Sequence, residues 1–251
     1  MHDVRHGSHP EYHRKKHRGN VSRSYEEVLS KTAVIIPAYN AAAHLADVID
    51  DTARIIPVER IIVIDDGSSD NTYAVAQQKA VVLEQHKPNR GKGAALQTGF
   101  AKANQMGMDY VITLDADGQH DPAEIPKFIE HTAKTGADVI VGNRMSDRGE
   151  MPFIRVFANS ATSAFVSLRS GTRIPDSQNG YRLFKMEVLE GIKLETTRYD
   201  TESEILIKVA RKGGRVDSVP VRTIYGDETS SVNPFVDAMR FFRMVGRSMF
   251  W

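Results

Sequence analysis

From residue 32 onward the chain alternates short apolar runs with helix-like stretches, and the runs break off at aspartate, proline or glycine. Ala33 to Ile36 reads as a strand ending at Pro37, followed by an Ala-rich helical stretch around residues 41–56. Ile61 to Ile64 is a second strand; it ends in Asp65-Asp66-Gly67-Ser68-Ser69-Asp70 and leads into another helix. Val81 to Leu83 is a shorter strand, and "NRGKGAAL" then opens a helix reaching Met106. Tyr110 to Leu114 is apolar and β-rich. Asp121-Pro122-Ala123-Glu124 after it reads as a helix start, with Asp121 as N-cap, Pro122 as first helical residue and Glu124 as capping-box partner. Asp138 to Val141 is one more strand. This alternation specifies an α/β fold, a mainly parallel sheet with helices on both faces, joined by right-handed crossovers. Such sheets bind ligands beyond the carboxyl ends of their strands. Asp65, Asp66, Asp115 and Asp117 all fall at such ends.

Composition excludes several functions. The 251 residues carry a net charge of +1 and no basic-aromatic module, so nothing points to nucleic acid. With no cysteine there are no disulfides, thiolate metal sites or cysteine nucleophiles. No run approaches the ~18 apolar residues of a membrane span. Residues 1–31 are rich in His, Arg and Lys and poor in aliphatics, which predicts a flexible tail, either simply solvated or acting as a polybasic arm for an anionic membrane.

"TLDADGQHDP" places Asp115 and Asp117 two residues apart, where their charges repel unless something positive lies between them. Either one caps a turn while the other is solvated, or the pair holds Mg²⁺ or Mn²⁺, which take one or two protein carboxylates and complete their shell with water and substrate phosphates. "GKGAAL" puts Lys92 between two glycines at a helix start, where backbone N–H groups and the ammonium could receive a phosphate. No GxxxxGK[ST] loop and no GxGxxG after a first strand occurs.

"VIIPAYNAA", "VIDDGSSDNT", "NRGKGAAL", "LDADGQH" and "DSQNGYRLF", in this order, resemble the family 2 glycosyltransferases, and within them the polyprenyl-phosphate sugar transferases of the dolichol-phosphate mannose synthase type. The resemblance implies a GT-A fold over residues 32–233, a single Rossmann-like sheet, and a metal-dependent inverting transfer of a sugar from a GDP- or UDP-linked donor to a polyprenyl (dolichyl or undecaprenyl) phosphate. It implies that Pro37, Tyr39, Asp65, Asp66, Lys92 and the segment Asp115-Ala116-Asp117 line the nucleotide-sugar pocket. It further implies that Asp115, Asp117 and Gln119 hold the metal. Position 41 is Ala where the family usually has an acidic residue that reaches the ribose.

A phosphate acceptor calls for guanidinium groups. Arg144 and Arg155 match the resembled family's lipid-phosphate arginines, with Asn159 and Ser160 beside them and Arg222 on a later loop; Arg148 and Arg182 are further basic candidates. Asp176 is either a base for a hydroxyl acceptor or an orienting carboxylate. Asp117, Asp176, Arg144 and Arg155 are therefore the catalytic candidates. Residues 234–251 predict a helix with one apolar face (Phe235, Ala238, Met239, Phe242, Val245, Met249) flanked by arginines, either packed on the domain or lying in a membrane interface. The implied location is peripheral, at the cytoplasmic face of a membrane. The competing readings are a family 2 transferase acting on a sugar or protein hydroxyl, and a non-catalytic nucleotide-sugar-binding subunit.

Overall fold

The computed structural model describes residues 23–146, 153–198 and 200–224, together with Gly246. Seven strands form one sheet. They are β1 (Thr32–Ala38), β2 (Ile61–Asp65), β3 (Val82–Gln85), β4 (Tyr110–Thr113), β5 (Val139–Asn143), β6 (Arg182–Lys185) and β7 (Val216–Pro220), in the order β3-β2-β1-β4-β6-β5-β7. All neighbours pair in parallel except β6, which runs against both β4 and β5.

Successive strand residues point to opposite faces, and each face is covered by its own helices. Val34, Ile36, Ile61, Val63, Ile112 and Leu183 pack under α1 (Tyr25–Ser30), α2 (Leu45–Ala53), α3 (Thr72–Gln77) and α5 (Ile125–Thr135). Ala33, Ile35, Ile62, Ile64, Val111 and Phe184 pack under α4 (Lys92–Gln105), α6 (Phe153–Ser170) and α8 (Asp200–Arg211). A short helix, α7 (Met186–Leu189), follows β6. Strand residues 33–36 and 61–64 are all fully buried, which is why the sequence shows continuous apolar runs there rather than alternation.

The expected boundary of the N-terminal tail at residue 31 is too late. Ser24 caps α1 by accepting from Glu27 N, and Val28 is buried in the core. The third strand lies one residue later than expected and runs to Gln85. Asp121 caps as predicted, accepting from Ala123 N, but Glu124 is not a capping-box partner: its Oε1 accepts from Lys127 Nζ at 2.8 Å. The predicted helix at 234–251, Gly246 apart, and residues 1–22 lie outside the described residues.

Candidate active site

The carboxyl edge of the parallel strands gathers the predicted residues. Strand register sets Ala38 beside Asp65 and Ile35 beside Thr113, so the loops after β1, β2 and β4 leave the sheet together. Because β6 is reversed, its first residue, Arg182, sits between Thr113 and Val141 at that same edge. Residues 176–181 therefore arrive at the site. Thr113 Oγ1 donates to Gly180 O at 2.6 Å and fastens them there.

The first two carboxylates of the "DDGSSD" loop are buried and occupied. Asp65 Oδ1 accepts from Ser68 N and its Oδ2 from Gln85 Nε2. Asp66, 3% exposed, accepts from Arg90 N through Oδ1 and from Gly91 N through Oδ2, while His86 Nδ1 lies 2.6 Å from Oδ1. These two residues shape the floor and the 88–91 turn. Just past β1, Tyr39 is 54% exposed, while Pro37 is buried within the strand.

Lys92 lies at the centre. Its ammonium is 2.6 Å from Asp115 Oδ1 and 3.0 Å from Glu202 Oε1 on α8. Burial opposes the charge on both Lys92 and Asp115, but their mutual attraction prevails. The lysine pKa is raised, and the Asp115 carboxyl is held down to about 2, with His120 and Arg144 adding to the pull. The start of α4 is not an open phosphate cradle: Thr197 O accepts from Gly93 N at 2.8 Å and Ala94 N at 3.3 Å. Gly93 permits this approach, since a Cβ there would lie 1.9 Å from Thr201 Oγ1.

The "DADGQH" loop is differently built. Asp117 is partly exposed; its Oδ1 accepts from Gln119 N, and its Oδ2 has no hydrogen bond among the described residues. Ala116 between the two carboxylates is buried. His120 is buried, and burial lowers its pKa; the neutral ring accepts from Asp115 N through Nδ1. The segment after β7 braces this loop, with His120 bridging Thr223 and Ile224 N donating to Gln119 O. Arg222, exposed, is carried there with it. Among the described residues no cluster of three His, Cys, Asp or Glu could hold an ion by itself. The available set is two carboxylates and the Gln119 amide, all hard oxygens along one loop. That set fits Mg²⁺ or Mn²⁺ completed by substrate phosphate and water.

On the other side of β4, Arg144 follows β5 and makes a two-pronged ion pair. Its Nε and Nη2 donate to Asp176 Oδ2 and Oδ1 at 2.8 and 3.0 Å, and its backbone N also donates to Oδ2. Asp176 is 0% exposed. This favours the orienting one of its two expected roles: a carboxylate closed off from solvent with both oxygens on one guanidinium holds that guanidinium in place. Arg182 is likewise not an acceptor residue, because its three nitrogens donate to the carbonyls of Asn179, Glu202 and Ser177. Arg155 stands in the first turn of α6, with Asn159 half-buried and Ser160 exposed farther along it; Arg148 lies outside the described residues.

Sequence reasoning missed Glu202, Thr197, His86 and His120. His86 follows β3 by one residue at the ligand edge, so the strand-end rule reaches it. Glu202 and Thr197 carry no such signal, because only the docking of α8 on α4 brings them near.

Residues 33–192 match the model of the glycosyl transferase family 2. The chain is a family 2 glycosyltransferase. Relatives of the transferase include the UDP-N-acetylglucosamine–dolichyl-phosphate N-acetylglucosaminyltransferase of Methanococcus voltae, 31% identical over 84% of this chain and 94% of that protein. The polyprenol monophosphomannose synthase of Mycolicibacterium smegmatis is 30% identical over 76% of each. Among solved structures, glucosyl-3-phosphoglycerate synthase from Mycobacterium tuberculosis in complex with uridine diphosphate superposes with a TM-score of 0.70, at 20% identity, over 92% of the transferase and 86% of that chain. The likeness at that identity confirms the GT-A fold of the transferase.

Proposed function

We propose that the protein transfers a sugar from a nucleoside-diphosphate sugar to a polyprenyl phosphate, using Mg²⁺ or Mn²⁺, as a peripheral protein at the cytoplasmic face of a membrane. The observation that carries the acceptor class is the closed Arg144–Asp176 pair. It supports, of the two roles open to Asp176, the orienting of a guanidinium over the deprotonation of a hydroxyl. A phosphate monoester arrives already anionic, so the site has to attract and position it rather than take its proton. Arg144 gives Nε and Nη2 to Asp176, and among the described residues its Nη1 makes no hydrogen bond, so it can meet an incoming oxyanion. The names of the relatives, acting on dolichyl or polyprenol phosphates, support the same class.

Asp115, Asp117 and Gln119 would hold the cation, which when bound offsets the charge developing on the leaving diphosphate. Lys92 keeps Asp115 ionised and ready as a ligand. Tyr39 offers an exposed ring to the base, above the loop that Asp66 fixes. Among the described residues no helix is long and apolar enough to cross a membrane.

A donor panel of GDP-mannose, UDP-glucose and UDP-N-acetylglucosamine, each with polyprenyl phosphate and Mn²⁺, tests the reading. One donor should give a lipid-phosphate sugar, and EDTA should stop it. Transfer to a free hydroxyl acceptor, or binding of the donor with no turnover, would overturn it in favour of a hydroxyl transferase or a non-catalytic subunit.

A further inference from the structure

Lys92 is the first residue of α4, behind Gly91 at the N-cap. A cation is disfavoured there, because the N–H groups that open a helix already present positive charge. The fold nevertheless withdraws the ammonium from solvent at that end and gives it two carboxylates, Asp115 at 2.6 Å and Glu202 at 3.0 Å. Asp115 alone would balance it. Glu202 is in excess of what an ion pair needs, and a buried carboxylate is costly to keep without a task.

The backbone fixes Glu202 firmly. Its carbonyl accepts from Arg182 Nη1 at 2.6 Å, and the same guanidinium is held by the carbonyls of Asn179 and Ser177. Gly180 packs against both carboxylates, since a Cβ there would lie 2.9 Å from Glu202 Oε1 and 2.8 Å from Asp115 Oδ2. The two acids are thus set against one backbone wall, and the flexible lysine stem is the part able to move. The cluster holds one ammonium and three carboxylates, Asp115, Asp117 and Glu202, while Arg144 is balanced by Asp176. Its excess is two negative charges, which is the charge of one divalent cation.

On the metal reading proposed above, Asp115 has to serve both an ammonium and a cation. Were Asp115 its one partner, Lys92 would be left withdrawn from water and unpaired each time that carboxylate became a metal ligand. We infer that Glu202 is a positioning residue of the donor site: it holds the Lys92 ammonium when Asp115 turns to the cation, so that both positive charges share the site. An ammonium has three donors, so Lys92 can stay on Glu202 and still reach diphosphate oxygens. The inference rests on Asp115 as a metal ligand, and it adds the residue that releases Asp115 for that role.

Binding of Mn²⁺ to the full chain, alone and with inorganic pyrophosphate, tests this when read by water-proton relaxation. Glu202→Gln keeps the carbonyl that Arg182 holds, and it should raise the Mn²⁺ Kd about tenfold, because the ammonium then sits undivided on Asp115. Lys92→Met should lower that Kd about threefold by removing the competitor. In the Lys92→Met background Glu202→Gln should cost no more than about twofold, since no ammonium remains to be held. An equal loss in both backgrounds would make Glu202 a plain source of charge and overturn the inference. So would a Glu202→Gln chain that binds Mn²⁺ as wild type does. Where melting shows that the Gln variant fails to fold, Lys92→Met decides alone, and unchanged or weaker Mn²⁺ binding overturns the inference. A wild-type chain that takes up no Mn²⁺ under either condition removes the metal reading and this inference with it. Wild-type uptake with an additive pair of substitutions removes the inference alone.

Discussion

Two acidic loops stand at the same edge of the sheet, after β2 and after β4, and they use their carboxylates in opposite ways. Asp65 and Asp66 spend their oxygens on the protein: Ser68 N, Gln85 Nε2, Arg90 N, Gly91 N and the His86 ring. Asp115 and Asp117 keep theirs near the surface, one balanced by the Lys92 ammonium and the other with an unused oxygen among the described residues. Both loops look alike as sequence, two aspartates beside a glycine past an apolar run. The difference teaches that a strand-end carboxylate is scaffold or reagent according to the donors its neighbours supply, and backbone N–H groups make it scaffold.

The contrast can be broken experimentally. The largest effect belongs to Asp117→Ala. With one hydrogen bond to lose, it should leave stability within about 0.5 kcal/mol while lowering turnover roughly 10²–10³-fold, on the order of 3 kcal/mol. Donor binding titrated with and without Mn²⁺ would check it, and near-normal turnover would end the metal assignment. Next comes Asp66→Asn, whose amide turns donors toward N–H groups that need an acceptor. Chemical denaturation should show a loss of about 2–3 kcal/mol. An unchanged unfolding curve with lost donor binding would make the two loops equivalent and void the comparison.

The acid limb of stability sharpens it further. The Asp115 pKa is depressed in the folded state, so its contribution is fully present above the ordinary carboxylate value and is lost as pH falls toward about 2. In metal-free protein this amounts to about 2 kcal/mol, and Asp115→Asn should flatten that part of the pH–stability curve. The raised lysine pKa describes the same ion pair and is not counted again. A mutant curve parallel to wild type would mean that the pair holds nothing together. The smallest effect is expected for Gly180→Ala, whose Cβ would lie 2.8 Å from Asp115 Oδ2 and 2.9 Å from Glu202 Oε1. Displacing those carboxylates from Lys92 should cost about 1 kcal/mol and a few-fold in turnover; melting and steady-state kinetics together would read it.

Much of the donor side was legible because its information is local. Apolar runs gave β1, β2, β4 and β5, and the aspartates after them gave the edge. The likeness of five motifs gave the family. The reversed strand β6 was not foreseen, because "YRLF" is too short and too polar at Arg182 to stand out, and only the sheet shows that Arg182 spends its guanidinium on three carbonyls. The role of Asp176 stayed open for a related reason. Its meaning depends on Arg144, 32 positions away, and no periodicity encodes that pairing. Glu202 is the extreme case, joined to Lys92 only through the packing of two helices.

The reversal of β6 has a consequence for how such a protein can change over evolutionary time. A parallel strand contributes to the ligand edge through the residues that follow it, so altering the site there also disturbs the crossover into the next helix. β6 contributes through the residues that precede it, at the end of the long α6 excursion from residue 144 to residue 181. That excursion leaves from the ligand edge and returns to it. It can be lengthened, shortened or recharged without shifting the register of any strand. The segment proposed to meet the acceptor is thus tethered at two fixed points and can diversify between them, whereas the loops proposed to meet the nucleotide are locked into the sheet.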